Sequence, residues 1–261
     1  MLKQRQYQRQ GPDYRFGEQV SFVDVKHTFN LNQIRIGSWV EEQEKHKAAN
    51  LIFDALADLA YMLKLPPHAI GLRQTLNLAF GTGGQQGVQA HYMPAHRELA
   101  LAKNAGAGAL AHEFWHAFDH YIAPKAFKVK PGAISFASNA WLADVPMVEH
   151  GLNQRLSDLF AVTLLSGDGN DGHAYVSRAI ALDKQYARQY FSKPSELMAR
   201  AFEACIESCS DIHNPYLVNE TLKSDLASVG GYPDAAHREQ IYAALLGYFE
   251  PLGDALGREK S

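Results

Sequence analysis

The chain has 261 residues, with 25 Lys and Arg against 28 Asp and Glu, a formal net charge of -3, 46% hydrophobic and 20% charged residues. This is the composition of a globular protein with a sizeable core, and it lacks the basic excess of a dedicated nucleic-acid or membrane-surface binder. The polar start Met1–Gln6 has no apolar signal-peptide core, no run approaches ~20 apolar residues, and Cys205 and Cys209, four apart, are poorly placed for a disulfide and suit a reducing cytoplasm.

Residues 1–37 read as an irregular arm with short strands at Val20–Val25 and Gln33–Ile36. An amphipathic helix is expected over Val40–Leu63, from the spacing of Ala48, Leu51, Ile52, Ala55, Leu56, Leu59 and Leu63, with acidic residues at its start and Pro66-Pro67 at its close. Alternation predicts strands at Leu76–Phe80, Val88–Tyr92 and Glu98–Ala102. Gly81-Thr82-Gly83-Gly84 makes a turn and lacks the Lys-Ser/Thr of a phosphate loop. One of these strands is expected to form a sheet edge along a cleft, where an extended peptide can add by main-chain hydrogen bonds.

A helix over Gly106–Tyr121 follows, with Leu110, Phe114, Ala117, Phe118 and Tyr121 as its apolar stripe and Gly106–Gly108 suiting an entry close to other backbone. A loop with Pro124 and Pro131-Gly132 runs to Pro146. Helices are then predicted at Val148–Leu165, His173–Tyr190, Ser195–Cys209, Asn219–Ser228 and Ala235–Tyr248, with residues 257–261 fraying. Without a linker or composition break, the reading is one α+β domain over 1–261: a small N-terminal sheet, then the helix at 106–121, then a mainly helical C-terminal half.

That central helix carries His112-Glu113-Phe114-Trp115-His116, an HExxH motif. Side chains four apart on a helix point the same way, about 6 Å along its axis, so both imidazoles can reach one Zn²⁺ at about 2.0–2.1 Å. Glu113 then stands where it can take a proton from a water at that ion. His120 lies a further turn along and cannot easily share the ion. Asp119, where the extended motif has Gly, either orients a ligand imidazole or bonds a nearby loop. A third ligand must come from elsewhere. The helix opening at Pro194-Ser195 offers Glu196, Glu203 and Glu207 on its polar side with Arg200, and periodicity alone leaves all three open against a solvated charged stripe.

The run His112–Tyr121 resembles the catalytic helix of gluzincin-type metallopeptidases, close to that of the anthrax lethal factor protease domain. Glu196-Leu197-Met198-Ala199-Arg200-Ala201-Phe202 resembles the second signature of that group. Leu76–Tyr121 is similar to the first of the large polyvalent protein-associated domains of bacteria and phages. The whole chain resembles bacterial proteins named after the metallopeptidase domain of the CLCA chloride-channel regulators, although a glycine expected beyond the second histidine is missing. The resemblance implies a zincin-like fold, zinc held by His112, His116 and Glu196, and Glu113 as base. It also implies an oxyanion-stabilising tyrosine upstream of the third ligand, Tyr190 or else Tyr186. Trp115 stands where a small residue is usual and is expected to narrow the cleft; the long gap to Glu196 implies inserted helices that cover the site.

The expected activity is therefore hydrolysis of a peptide bond in a peptide or protein substrate. The alternative is a catalytically silent, zinc-stabilised binding or regulatory protein with a closed four-ligand site, for which His150, His173 and His213 are the spare ligands. A third reading, a helical protein with an accidental HExxH, is separated from both by metal content.

Overall fold

The computed structural model describes residues 8–82, 90–102 and 108–258. The first helix, α1 (Phe22–Thr28), lies where a strand was expected at Val20–Val25. The reason is local: Ser21 caps the Asp24 N–H while the Asp24 carboxylate accepts from the Ser21 N–H at 2.7 Å, a capping box that outweighs the strand preference of the β-branched Val20, Val23 and Val25. Strand β1 (Gln33–Ile36) and helix α2 (Glu42–Met62) follow close to their predicted bounds. Arg9 binds the buried Asp58 at 2.6 Å and Arg15 binds Asp54 at 2.9 Å, so the stretch ahead of α1 is strapped along α2.

Strands β2 (Asn77–Phe80), β3 (Ala90–Met93) and β4 (Glu98–Leu101) complete a mixed sheet in the order β1-β2-β4-β3. β1, β2 and β4 are parallel; β3 is antiparallel to β4 and forms an edge. Residues 83–89, which include the end of the expected glycine turn and the start of the strand expected at Val88–Tyr92, lie outside the described residues, as do Gly106 and Ala107.

Helix α3 (Leu110–Ala126) carries the HExxH motif and runs through Pro124, which the sequence had placed in a loop. Its entry is pressed against the segment 216–219: Ala111 N donates to Leu217 O at 3.1 Å, and a Cβ on Gly108, at φ +112°, would meet Asn219 at 2.8 Å. The expected loop to Pro146 contains a short helix, α4 (Ala137–Leu142). Then come α5 (Gly151–Leu164), α6 (Ala174–Gln185), α7 (Pro194–Glu207), α8 (Asp225–Ser228) and α9 (Ala235–Arg258). α6 stops five residues before Tyr190, and α9 continues past the expected end at Tyr248 and through Pro251. The helix expected over Asn219–Ser228 is a 3₁₀ turn at Thr221–Lys223 followed by α8.

One hydrophobic cluster joins the sheet to the helices. α3 is its axis. Trp115 is fully buried against Phe118 and Phe202, at ring distances of 5.4 and 5.1 Å, so it fills the core and does not narrow a cleft as expected. Phe118 packs on Tyr248 and Phe249 of α9. Cys205 and Cys209 are both free thiols. Among the described residues, no helix is long and apolar enough to cross a membrane.

Candidate metal centre

α3 and α7 bring together the residues that the sequence pointed to. His112 and His116 lie one turn apart on α3, with ring centroids 4.9 Å from each other. Glu196 enters from the first turn of α7, where Pro194 starts the helix. Its Oε1 is 3.4 Å from His116 Nε2 and its Oε2 is 3.5 Å from His112 Nε2. One ligand atom from each of the three residues lies within 4.8 Å of the others, a spacing that can hold a metal ion.

The donor set fits zinc: two imidazoles and one carboxylate make three protein ligands. Glu196 Oε2 and His116 Nδ1 are buried without a hydrogen-bond partner, although the carboxylate oxygen faces an imidazole nitrogen. A cation shared by the three side chains would satisfy that oxygen. Burial disfavours charge on His112, yet its pairing with the Glu196 and Glu203 carboxylates outweighs this and pushes its pKa up to about 10. Burial likewise opposes ionisation of Glu196, but the two histidines hold its carboxyl well below the usual carboxylate range.

The stripe of Glu196, Arg200, Glu203 and Glu207 is not solvated. Arg200 is 2% and Glu203 is 6% exposed. Glu203, seven residues after Glu196 and so on the same helix face, accepts from His112 Nδ1 at 3.1 Å and from Thr221 Oγ1 at 2.7 Å. Glu207 accepts from the Thr221 and Leu222 N–H groups at 2.9 and 2.6 Å. The three carboxylates thus divide the work. Glu196 faces the site, Glu203 orients His112, and Glu207 fixes the turn that holds Glu203.

Glu113 points towards the sheet edge, where its Oε2 accepts from the Tyr92 N–H of β3 at 2.7 Å. Burial raises its pKa, against the pull of His112, His116 and this hydrogen bond. The Tyr92 hydroxyl bonds His120 Nδ1 at 2.8 Å, so His120 turns to the edge strand and away from the metal group. Asp119 bonds the first turn of α4, which stands where the sequence had placed a loop: its carboxylate accepts from the Ser138 N–H and Oγ at 2.9 and 2.6 Å. Burial lifts Asp119 to about 6 despite these bonds. This anchors the segment that places Phe136 6.0 Å from the His116 ring.

Tyr190 sits in a loop, not in the helix predicted for it. Asp183, near the end of α6, accepts from the N–H groups of Tyr190, Phe191 and Ser192 at 2.8, 2.7 and 2.8 Å and from Ser192 Oγ at 2.5 Å. These bonds outweigh burial and hold the Asp183 pKa at about 2. The fixed loop brings the Tyr190 phenol to Glu196; burial, then the Glu196 charge and hydrogen bond, raise its pKa. Tyr186 is exposed and packs at a tilt against Phe191. The spare histidines are employed elsewhere: His150 and His173 cap α5 and α6, and the His213 backbone pairs with Gln10.

A family model provides one outside comparison. Residues 182–256 match large polyvalent protein-associated domain 1. The matched segment, less than a third of the chain, holds Asp183, Tyr190, Glu196 and Glu203, and it lies C-terminal to the Leu76–Tyr121 stretch on which the sequence resemblance had been placed. Neither the curated proteins nor the solved structures gave a match.

Proposed function

We propose that this chain is a zinc-dependent metallopeptidase of the gluzincin type, hydrolysing a peptide bond in an extended peptide or protein segment. The observation that carries the reading is the convergence of His112, His116 and Glu196 on one point with Glu113 beside it. His112, His116 and Glu196 would hold the zinc. Bound there, the ion supplies Lewis acidity, polarising a carbonyl and lowering the pKa of a water from 15.7 towards ~7.

The chain's own groups supply the rest. Glu113 takes the proton of the attacking water and returns it to the leaving amine, and its burial-raised pKa suits a group that must accept and then release a proton. The Tyr190 phenol, beside Glu196, donates to the oxyanion that develops as the carbonyl is attacked. Glu203 keeps the His112 ring turned with Nε2 towards Glu196, the orientation in which it would serve as a ligand. The edge strand β3, whose Tyr92 N–H reaches Glu113, offers main-chain groups along which a peptide can lie as an added strand.

The test pairs zinc analysis with hydrolysis of a quenched fluorescent peptide library. The wild type is expected to bind one zinc per chain and cleave peptides, and Glu113→Gln to keep the zinc and lose cleavage. Zinc bound without cleavage of any peptide would favour the silent, zinc-stabilised binding protein instead.

A further inference from the structure

Where α5, α6 and α9 meet, two imidazoles are stacked face to face. The rings of His173 and His237 lie 3.6 Å apart at 27°, with the Tyr175 ring edge-on to His237 at 6.1 Å. His173 is the cap residue of α6, and His237 lies in the first turn of α9, where it is 3% exposed. The pair takes no part in the metal centre.

The hydrogen bonds around the two rings require both to be neutral. His173 Nδ1 accepts from the Tyr175 N–H at 3.1 Å and so caps α6, a bond that needs a bare ring nitrogen. His237 Nε2 faces the Val162 carbonyl of α5 at 2.9 Å and carries the hydrogen, which leaves Nδ1 as the lone pair. That Nδ1 is buried without a hydrogen-bond partner among the described residues. A proton on His173 Nδ1 would therefore remove the cap, and a proton on His237 Nδ1 would be a buried donor with nothing to accept it. Two imidazolium rings at 3.6 Å would also repel each other.

The charged groups facing the pair do not offset this. Asp234, ahead of α9, favours protonated rings, but its Oδ1 already accepts from the His237 N–H at 3.0 Å. Arg178 of α6, whose Nε donates to the Gly230 carbonyl at 3.2 Å, opposes protonation. Burial is the largest influence on both rings and also acts against the charged form, so both pKa values lie below the ordinary 6.5.

We propose that the His173–His237 stack is an acid-released latch: neutral imidazoles hold the start of α6 against α9 and α5, and protonation parts them. The stabilisation is complete above pH 6.5 and is lost as the pH falls below it through the lower folded values. The latch shares no residue with the metal centre, so it stands or falls independently of the peptidase reading.

Imidazole titration by NMR and amide hydrogen exchange by mass spectrometry, both on the full chain, test this. In the wild type both rings are expected to titrate below 6.5, and His237 to titrate higher in His173→Asn, a substitution that keeps a capping side chain. From about pH 7.5 to about 5.5, exchange over Ala174–Leu182, corrected for the intrinsic rate, is expected to accelerate at least ~tenfold more in the wild type than in His173→Asn/His237→Phe. Circular dichroism checks that each variant is folded. Wild-type rings that titrate at or above 6.5, an unmoved His237 in His173→Asn, or the same pH response in the folded double variant would overturn the proposal.

Discussion

Glu203 Oε2 lies 3.1 Å from His112 Nδ1, while Glu196 faces the Nε2 of the same ring. One helix therefore grips both sides of the imidazole, seven residues apart along a single face. Such a partner fixes the ring's tautomer and orientation, and its loss typically weakens metal affinity ~10–100-fold. Glu203→Gln is expected to lower zinc affinity by that factor in competition with a chelator, with zinc still bound at saturation. An unchanged affinity would remove Glu203 from the site.

In the proposed mechanism Glu113 acts on protons and does not coordinate the metal. Glu113→Gln is expected to keep the full zinc content and lose ~10²–10⁴-fold in kcat. Because its Oε2 also accepts from the Tyr92 N–H, the amide of Gln can preserve that contact through its carbonyl oxygen, so the loss reports chemistry and not a displaced edge strand. Loss of zinc together with activity would contradict this division of roles.

The proposed mechanism assigns Tyr190 as the donor to the oxyanion in the transition state. Tyr190→Phe is expected to lower kcat by ~10²–10³ with little change in KM, whereas Tyr186→Phe changes neither. Equal effects at the two positions would leave the oxyanion without an assigned donor.

Asp183 holds that tyrosine in place through three backbone N–H groups. Its folded pKa of about 2 lies below the ordinary 3.8, so the stabilisation it gives is complete above 3.8 and is lost as the pH falls through 2. Asp183→Asn is expected to cost about 1–3 kcal/mol of stability at neutral pH, with the gap to wild type closing towards pH ~2. It should also lower kcat, since Tyr190 loses its anchor. A stability gap independent of pH would mean that the carboxylate charge is not what binds the loop.

Trp115 is a core residue. Trp115→Ala is expected to destabilise the fold by about 3–5 kcal/mol in denaturant unfolding, and Trp115→Phe by much less, because the indole Nε1 is buried without a hydrogen-bond partner and its removal breaks no bond. A small effect of the alanine variant on stability, with a large one on peptide selectivity, would restore Trp115 to the cleft.

What could be read from the chain was what local periodicity encodes. The pairing of His112 with His116, the position of Glu113 and the span of α2 follow from helical spacing alone. Glu203 was within reach of the same logic, since seven residues return to one face, but its burial depended on Thr221 and His112 from other parts of the chain. Ser21 and Asp24 carry a legible capping box that the β-branched Val20, Val23 and Val25 obscured. The end of α6 was not legible. Nothing near Tyr186 announces that Asp183 will turn back to collect the N–H groups of residues 190–192, with Ala187 in the left-handed region at φ 50°. The sheet order was also out of reach, because the parallel pairing of β1 with β2 spans the whole of α2.

The most direct test is X-ray absorption spectroscopy at the zinc edge, on protein produced with ample zinc and beside elemental analysis of His116→Ala. The account predicts one zinc per chain bound by two imidazole nitrogens and a carboxylate oxygen, and its loss in His116→Ala. A metal-free wild type, or full zinc in His116→Ala, would contradict it.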